Sequence, residues 1–286
     1  MSVFLQTIVS ALSDATLYLL LSVGLTLMFG VLGVVNFAQG DFMTVAAYVG
    51  FAFVTGLGLA TLSSLLVMIP ALMVLGAAFY YLVLYPTESH AHEARLLATF
   101  GVAFVLQGVV QRIWSPNPIA ARQTAAALHL GDVAVPVDLL INLGVATLVM
   151  AVLYVFLNRL PIGREIRATA QDSVGAELIG IDTTRVRLIT CVLACGLTAC
   201  GGLVLLTTSY LYPQVGFALV FKAFAVVIVA GLGSVWGVVA ASLMLGLATE
   251  MVATYVSNSY TDAVAFVVII IVLLERPSGI LGASAA

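Results

Sequence analysis

Charge is what this sequence has least of. Only 8% of its 286 residues are charged, and 63% are hydrophobic. Soluble domains carry about 25% charged residues, so an ordinary soluble fold is excluded at the outset. Lysine occurs once, at Lys222, and no basic residue precedes Arg95. The basic opening of a cleavable signal peptide is therefore missing, and the first apolar run is expected to stay in the mature chain. The formal charge of −3 is silent about nucleic acid, and no basic cluster points to it. No GxxxxGK[ST] phosphate loop occurs, so any nucleotide must be bound by another polypeptide. No Ser/His pair, DDxxD-like acid cluster or metal constellation lies in the apolar runs, which leaves a membrane enzyme without support. No catalytic, metal or cofactor site is expected. Cysteine is scarce too: Cys191, Cys195 and Cys200 share one apolar segment at spacings that fit neither a CxxC pair nor an intrahelical disulfide. They read as small packing residues and say nothing of the redox compartment.

What remains is long and apolar. The charge-free runs 15–40, 42–87, 188–221 and 223–249 each exceed the ~20 residues that cross a bilayer core as helix. The expected fold is an all-α, polytopic helical membrane protein, one transmembrane domain over 1–286. About eight or nine spans fit, the count depending on whether broken helices score as one or two.

One stretch organises the rest, Gly24–Gly50, GLTLMFGVLGVVNFAQGDFMTVAAYVG. An apolar run breaks at Gly30, Gly33 and Gly40 around Asn36, Gln39 and Asp41, then resumes. Unsatisfied backbone costs several kcal/mol per group in lipid, so such a break is tolerated only inside protein or beside a watery path. A transport route is expected here. Asn36 with Gln39 three residues on also resembles a capping box for the resumed helix. Such an end would present its positive dipole to whatever passes.

Taken in order, Asp14 reads as a helix cap near the interface. The polar stretch TESHAHEAR, with His90 and His92, reads as a solvated connector rather than a metal site. The region 114–138 reads as an extramembrane loop or short hairpin, with Pro116, Pro118, Gly131 and Pro136 as breakers. Residues 158–187 hold Arg159, Arg164, Arg167, Arg185 and Arg187, half of all Lys and Arg, so this loop is cytoplasmic. Its middle reads as one amphipathic helix between Gly163 and Gly180. Counting crossings back from this loop puts the N-terminus outside. A second break is expected at 231–237, GLGSVWG, and two broken segments suggest an internal pseudo-repeat. Gly233 and Gly237 also match the GxxxG spacing of close helix packing. Asp262 reads as the cap of the last span, and the tail after Arg276 returns to the basic side.

The expected route runs at mid-depth past Asn36 and Gln39 and the backbone at Gly233 and Ser234. Lys222 and Glu250, lone charges in adjoining runs, are expected to face each other or share an outer vestibule.

Three stretches resemble the branched-chain amino acid ABC transporter permeases of the LivH type. They are the Gly24–Gly50 segment, the loop GREIRATAQDSVGAELIGIDTTRVR, and FKAFAVVIVAGLGSVWG with the tail RPSGILG. The family often has His-Gly-Glu where this chain has Gln39-Gly40-Asp41, which removes a titratable ring. The resemblance implies a permease subunit of a bacterial importer in the inner membrane. It would work beside a second homologous permease, two ATPase subunits that hold ATP and Mg, and a periplasmic solute-binding protein. The solute would be a branched-chain amino acid or a related small polar or carboxylate molecule. It further implies that 158–187 is the coupling loop, with Arg164, Arg167, Ala170, Asp172, Ala176 and Gly180 seated against an ATPase. An ion-coupled secondary transporter is the alternative, and predicts more intramembrane acids than Asp41 and Glu250.

Overall fold

Apolar length decides the elements. Helix α1 (Ser2–Leu32) carries one charged residue in 31 positions and runs until Gly33, whose φ of +67° turns the chain out of the helix. There follow α2 (Gln39–Leu57), α3 (Leu65–Phe79) with a π-helical extension over Tyr80–Leu84, α4 (His92–Ile113) and α5 (Val137–Arg159). Two short helices, α6 (Pro161–Gln171) and α7 (Ser173–Leu178), lead to α8 (Thr183–Thr208), α9 (Val215–Ala230), α10 (Val235–Tyr255) and α11 (Thr261–Glu275). Strand β1 (Ile119–Ala120) pairs antiparallel with β4 (Tyr210–Leu211), and β2 (Ala127–Leu130) forms a hairpin with β3 (Val133–Pro136). This computed structural model describes the chain except residues 1, 59, 89, 115, 121–126, 131–132, 232, 277–278 and 280–286. Gly131 and most of the tail motif lie outside the described residues. Among the described residues eight helices are long and apolar enough to cross a bilayer, and α9 is a shorter ninth.

Which helix ends share a side follows from contacts. Taking the side of 158–187, expected to be cytoplasmic, as the inner one, α5 runs inward and α8 outward. Gln6, near the start of α1, exchanges two 3.2 Å hydrogen bonds with the backbone of Ala134, just before α5. The other end of α1 packs on α6. The chain therefore begins on the outer side. Glu88, in the connector before α4, pairs with Arg187 at the inner start of α8.

The two halves pack as an inverted repeat. Helix α1 lies against α8, α9 and α10, and α8 lies against α1, α2 and α3. Exchanging α1–α4 for α8–α11 maps one set of neighbours onto the other, and each helix runs opposite to its counterpart. Small residues mark the equivalent crossings. Gly246 of α10 packs on Ala11 and Ala15 of α1, and Gly76 of α3 on Cys191 and Cys195 of α8. All three cysteines are buried free thiols, and Cys191 and Cys195 stand at that crossing. Helices α1 and α8 form the centre, with 83% and 72% of their apolar windows buried against 6% for α11.

Several expectations change. Asp14 does not cap a helix, because α1 starts twelve residues earlier; it sits within α1 and accepts a 3.3 Å hydrogen bond from Tyr18 one turn on. Asp262 lies in the first turn of α11 but its side chain caps nothing there, being drawn instead to Lys222. The amphipathic cytoplasmic helix is two helices. Asp172 leaves helical geometry at φ −153° and its Oδ1 accepts from the amides of Val174 and Gly175, ending α6 and starting α7. The inverted counterpart of the first break is 209–214, ahead of α9, not 231–237.

Candidate functional site

The six residues after α1 climb back into the protein rather than leaving it. Residue 39 reaches a level midway along α1 and α8: a methyl carbon on Gly24 would lie 2.7 Å from Nε2 of Gln39 and 2.9 Å from Oγ1 of Thr198. Helix α2 thus starts at mid-depth and runs outward along α8. Helix α9 mirrors it, starting beside α2 and running inward along α1. The two ends touch through glycine: a Cβ on Gly40 would overlap the carbonyl of Gly216, and one on Gly216 would overlap that of Gly40.

Asn36 and Gln39, two polar groups of the break, are satisfied internally. Asn36 and Gln39 are 1% and 0% exposed. Asn36 donates to Oε1 of Gln39 at 2.8 Å, and its own oxygen accepts from the amide of Ala38 at 3.1 Å. Gln39 donates to Oγ1 of Thr198 at 2.5 Å and to the carbonyl of Ala194 at 3.3 Å. Ala38, not Asn36, precedes α2 directly, so the capping box is replaced by an Asn turn and a side-chain amide pair. Buried polar groups must be satisfied, and this network binds the break to α8.

An aromatic layer covers the break. Phe37 stacks on Phe100 of α4 at 4.2 Å between ring centroids and lies 5.9 Å from Phe221 of α9. Phe217 bridges Phe104 and Phe221 at 6.2 and 5.2 Å. Such offset and edge contacts are favoured ring geometries.

Gly233 and Ser234 do not join this centre. They lie in the α9–α10 connection, with α9 between them and Gly216, a length of ~24 Å at 1.5 Å per residue. Ser234 caps α10 by accepting from the amide of Gly237 at 3.1 Å, and Gly231 packs on Gly279 near the cytoplasmic end of the chain. The glycine-rich segment is thus an interfacial turn, and its Gly237 fits against Ala230 of the same turn rather than against another helix.

Lys222 finds Asp262 of α11, at 2.8 Å, rather than Glu250. Helix α11 packs on both α9 and α10, and the lysine stem reaches its outer end. Glu250 lies in the same outer cluster, where its carboxyl meets that of Asp14, and Lys222 is within electrostatic reach of both.

The whole chain now bears comparison with known proteins. Residues 7–273 match the profile of the family described as "Branched-chain amino acid transport system / permease component". The chain belongs to that permease family. It is similar to the high-affinity branched-chain amino acid transport system permease proteins BraD of Pseudomonas aeruginosa, at 30% identity, and LivH of Escherichia coli K12, at 28%. Each alignment covers 98% of this chain and 96% of the relative. The high-affinity branched-chain amino acid transport system permease protein LivM of Salmonella typhimurium is 23% identical, over 93% of this chain and 68% of that protein. The solved structure of PsaBC from Streptococcus pneumoniae in complex with Fab has the same fold, with a TM-score of 0.53 at 13% identity over 94% and 91% of the two chains. This permease is a transport component rather than an enzyme, and a multi-pass protein of the inner membrane.

The permease's 158–187 loop has both exposed and buried side chains among the expected coupling residues. Arg164 and Arg167 are exposed on α6, where Arg167 donates to Oδ1 of Asn158 at 2.8 Å. Ala170, Asp172 and Gly180 are also exposed, and Gly180 has φ +88°. Ala176 is not available: at 3% exposure it faces the protein, because α7 turns it towards α8. The outward side of α7 and the residue after it carries Val174, Leu178 and Ile179, at 66%, 83% and 76% exposure. Sequence reading passed over these apolar residues, although their i, i+4 spacing was there to find. The close approach at Gly216 is signalled only by a 16-residue apolar helix too short to cross alone.

Proposed function

We propose that this permease is one of two related membrane subunits of an ATP-driven importer for branched-chain amino acids. ATP and Mg are bound by two ATPase subunits, and a periplasmic binding protein delivers the solute. The near end-to-end similarity to BraD, a permease protein of a high-affinity branched-chain amino acid transport system, carries the reading. The similarity to LivM supports a partnership of two permeases.

The cytoplasmic surface supports the division of labour. The chain has no phosphate loop of its own. Exposed Val174, Leu178 and Ile179 offer an apolar contact to an ATPase, with Arg164 and Arg167 on the adjoining helix for its acidic rim. ATP-driven closure of the ATPase pair then moves α6 and α7, and with them α8 and α1, against which both half-length breaks are held.

Purification of the tagged permease from its own membranes tests this reading. A second permease and an ATPase should copurify. The isolated soluble receptor should bind leucine, isoleucine or valine in calorimetry. A receptor that binds urea or a dicarboxylate instead would reject the solute assignment, and the lack of any ATPase would reject the whole.

A further inference from the structure

One buried oxygen, beside the meeting of α2 and α9, is left without a partner. Asp41, in the first turn of α2, is 1% exposed. Its Oδ1 accepts a 3.0 Å hydrogen bond from Nε2 of Gln107 on α4, and its Oδ2 has no donor. The ion pairs Arg187–Glu88 and Lys222–Asp262 lie elsewhere, and among the described residues no cation is paired with Asp41. A buried carboxylate oxygen left bare in a protein at bilayer depth is costly and calls for a reason.

Its surroundings supply complementary charge of the other kind. The N-terminal ends of α2 and α9 converge at Gly40 and Gly216, and helix N-termini favour negative groups. A bare acceptor beside two positive helix ends matches a solute that carries one ammonium and one carboxylate on the same carbon.

We propose that Asp41 accepts the α-ammonium group of an amino acid at mid-depth, while the facing ends of α2 and α9 hold its α-carboxylate. This deepens the importer reading and rests on it. In the arrangement seen here the Gly40–Gly216 contact closes the site, and parting of the two helix ends opens it. The chemistry selects zwitterions. Urea, simple amides and keto acids lack the ammonium donors that Oδ2 is missing.

The assembled complex, reconstituted in vesicles with its receptor and supplied with radiolabelled leucine, tests the proposal. Asp41→Asn keeps the size of the side chain and its acceptor for Gln107, so a purely structural role survives the change. Loss of a charge-assisted hydrogen bond should slow leucine uptake roughly tenfold or more, with the complex still assembled and still hydrolysing ATP. Asp41→Glu should recover much of the rate. Uptake by Asp41→Asn equal to that of the unaltered complex overturns the proposal. If Asp41→Asn fails to assemble, Asp41→Glu decides alone: a changed KM for leucine with maximal ATP hydrolysis retained supports the ammonium contact, and an unchanged KM overturns it. An unaltered complex that hydrolyses ATP but carries no amino acid defeats the importer reading itself, whatever the variants do.

Discussion

Gly40 and Gly216 meet backbone to backbone, one from each half of the inverted repeat, and neither position has room for a methyl group. The contact joins the N-terminal ends of two helices that start at mid-depth. Each helix end would be untenable in lipid, and together they cover one another.

Alanine at either glycine tests the contact. Overpacking of this kind costs about 1–3 kcal/mol, so Gly216→Ala should lower the melting temperature of the detergent-solubilised protein and reduce uptake. Gly101→Ala is the control, because a Cβ there meets nothing within 4 Å. Equal melting temperatures for the two variants would show that the close approach is not required.

Gln39 and Thr198 form the bond that ties the break to α8. Truncating one partner leaves the other buried and unsatisfied, at about 1–3 kcal/mol. Gln39→Ala and Thr198→Val should each destabilise the protein, and the double variant should fall short of their sum. Strict additivity in thermal unfolding would mean the two side chains do not act together.

Not all of this was legible beforehand. Apolar length foretold the long helices, and the glycine and polar content of 24–50 foretold the first break, because in lipid those residues have few other uses. The second break was misplaced. Gly231, Gly233 and Gly237 drew attention to what is an interfacial turn, whereas the intramembrane break at 209–214 is marked by Pro213 and Gly216 alone. Composition cannot separate a turn at the membrane surface from one inside it. Only the length of Val215–Ala230, ~24 Å at 1.5 Å per residue against a core of ~30 Å, makes the distinction. Asp14 misled for a related reason: Ser-Asp suits a cap, but an apolar run precedes it and Tyr18 supports it within the helix.

Lys222 should matter more than its partner. Asp262 has 76% of its side chain exposed, so the pair itself contributes about 0–1 kcal/mol. Asp262→Asn should leave yield and uptake nearly unchanged. Lys222→Met should impair assembly or uptake, since Asp14 and Glu250 then face each other with no cation in reach. Exchanging the charges of 222 and 250 should not rescue it. Restoration by that exchange would show that Glu250 is the true partner.

The exposed apolar side of α7 should carry the ATPase. Leu178→Asp places a charge where the side chain is 83% exposed, so insertion and folding should be unaffected. Copurification of the ATPase should fall, and uptake with it. Gly180, at φ +88°, resists any side chain, and a bulky residue there should cost about 1–2 kcal/mol and uncouple hydrolysis from uptake. Normal ATPase recovery with Leu178→Asp would put the docking surface elsewhere.

The energy source is the most direct test of the central claim. Purified complex in sealed vesicles, with receptor and leucine on the outer face of the permease, should accumulate leucine only when Mg-ATP is supplied on the cytoplasmic face. A protonophore or sodium ionophore should leave the rate unchanged. Leucine accumulation driven by an ion gradient without ATP would contradict the account.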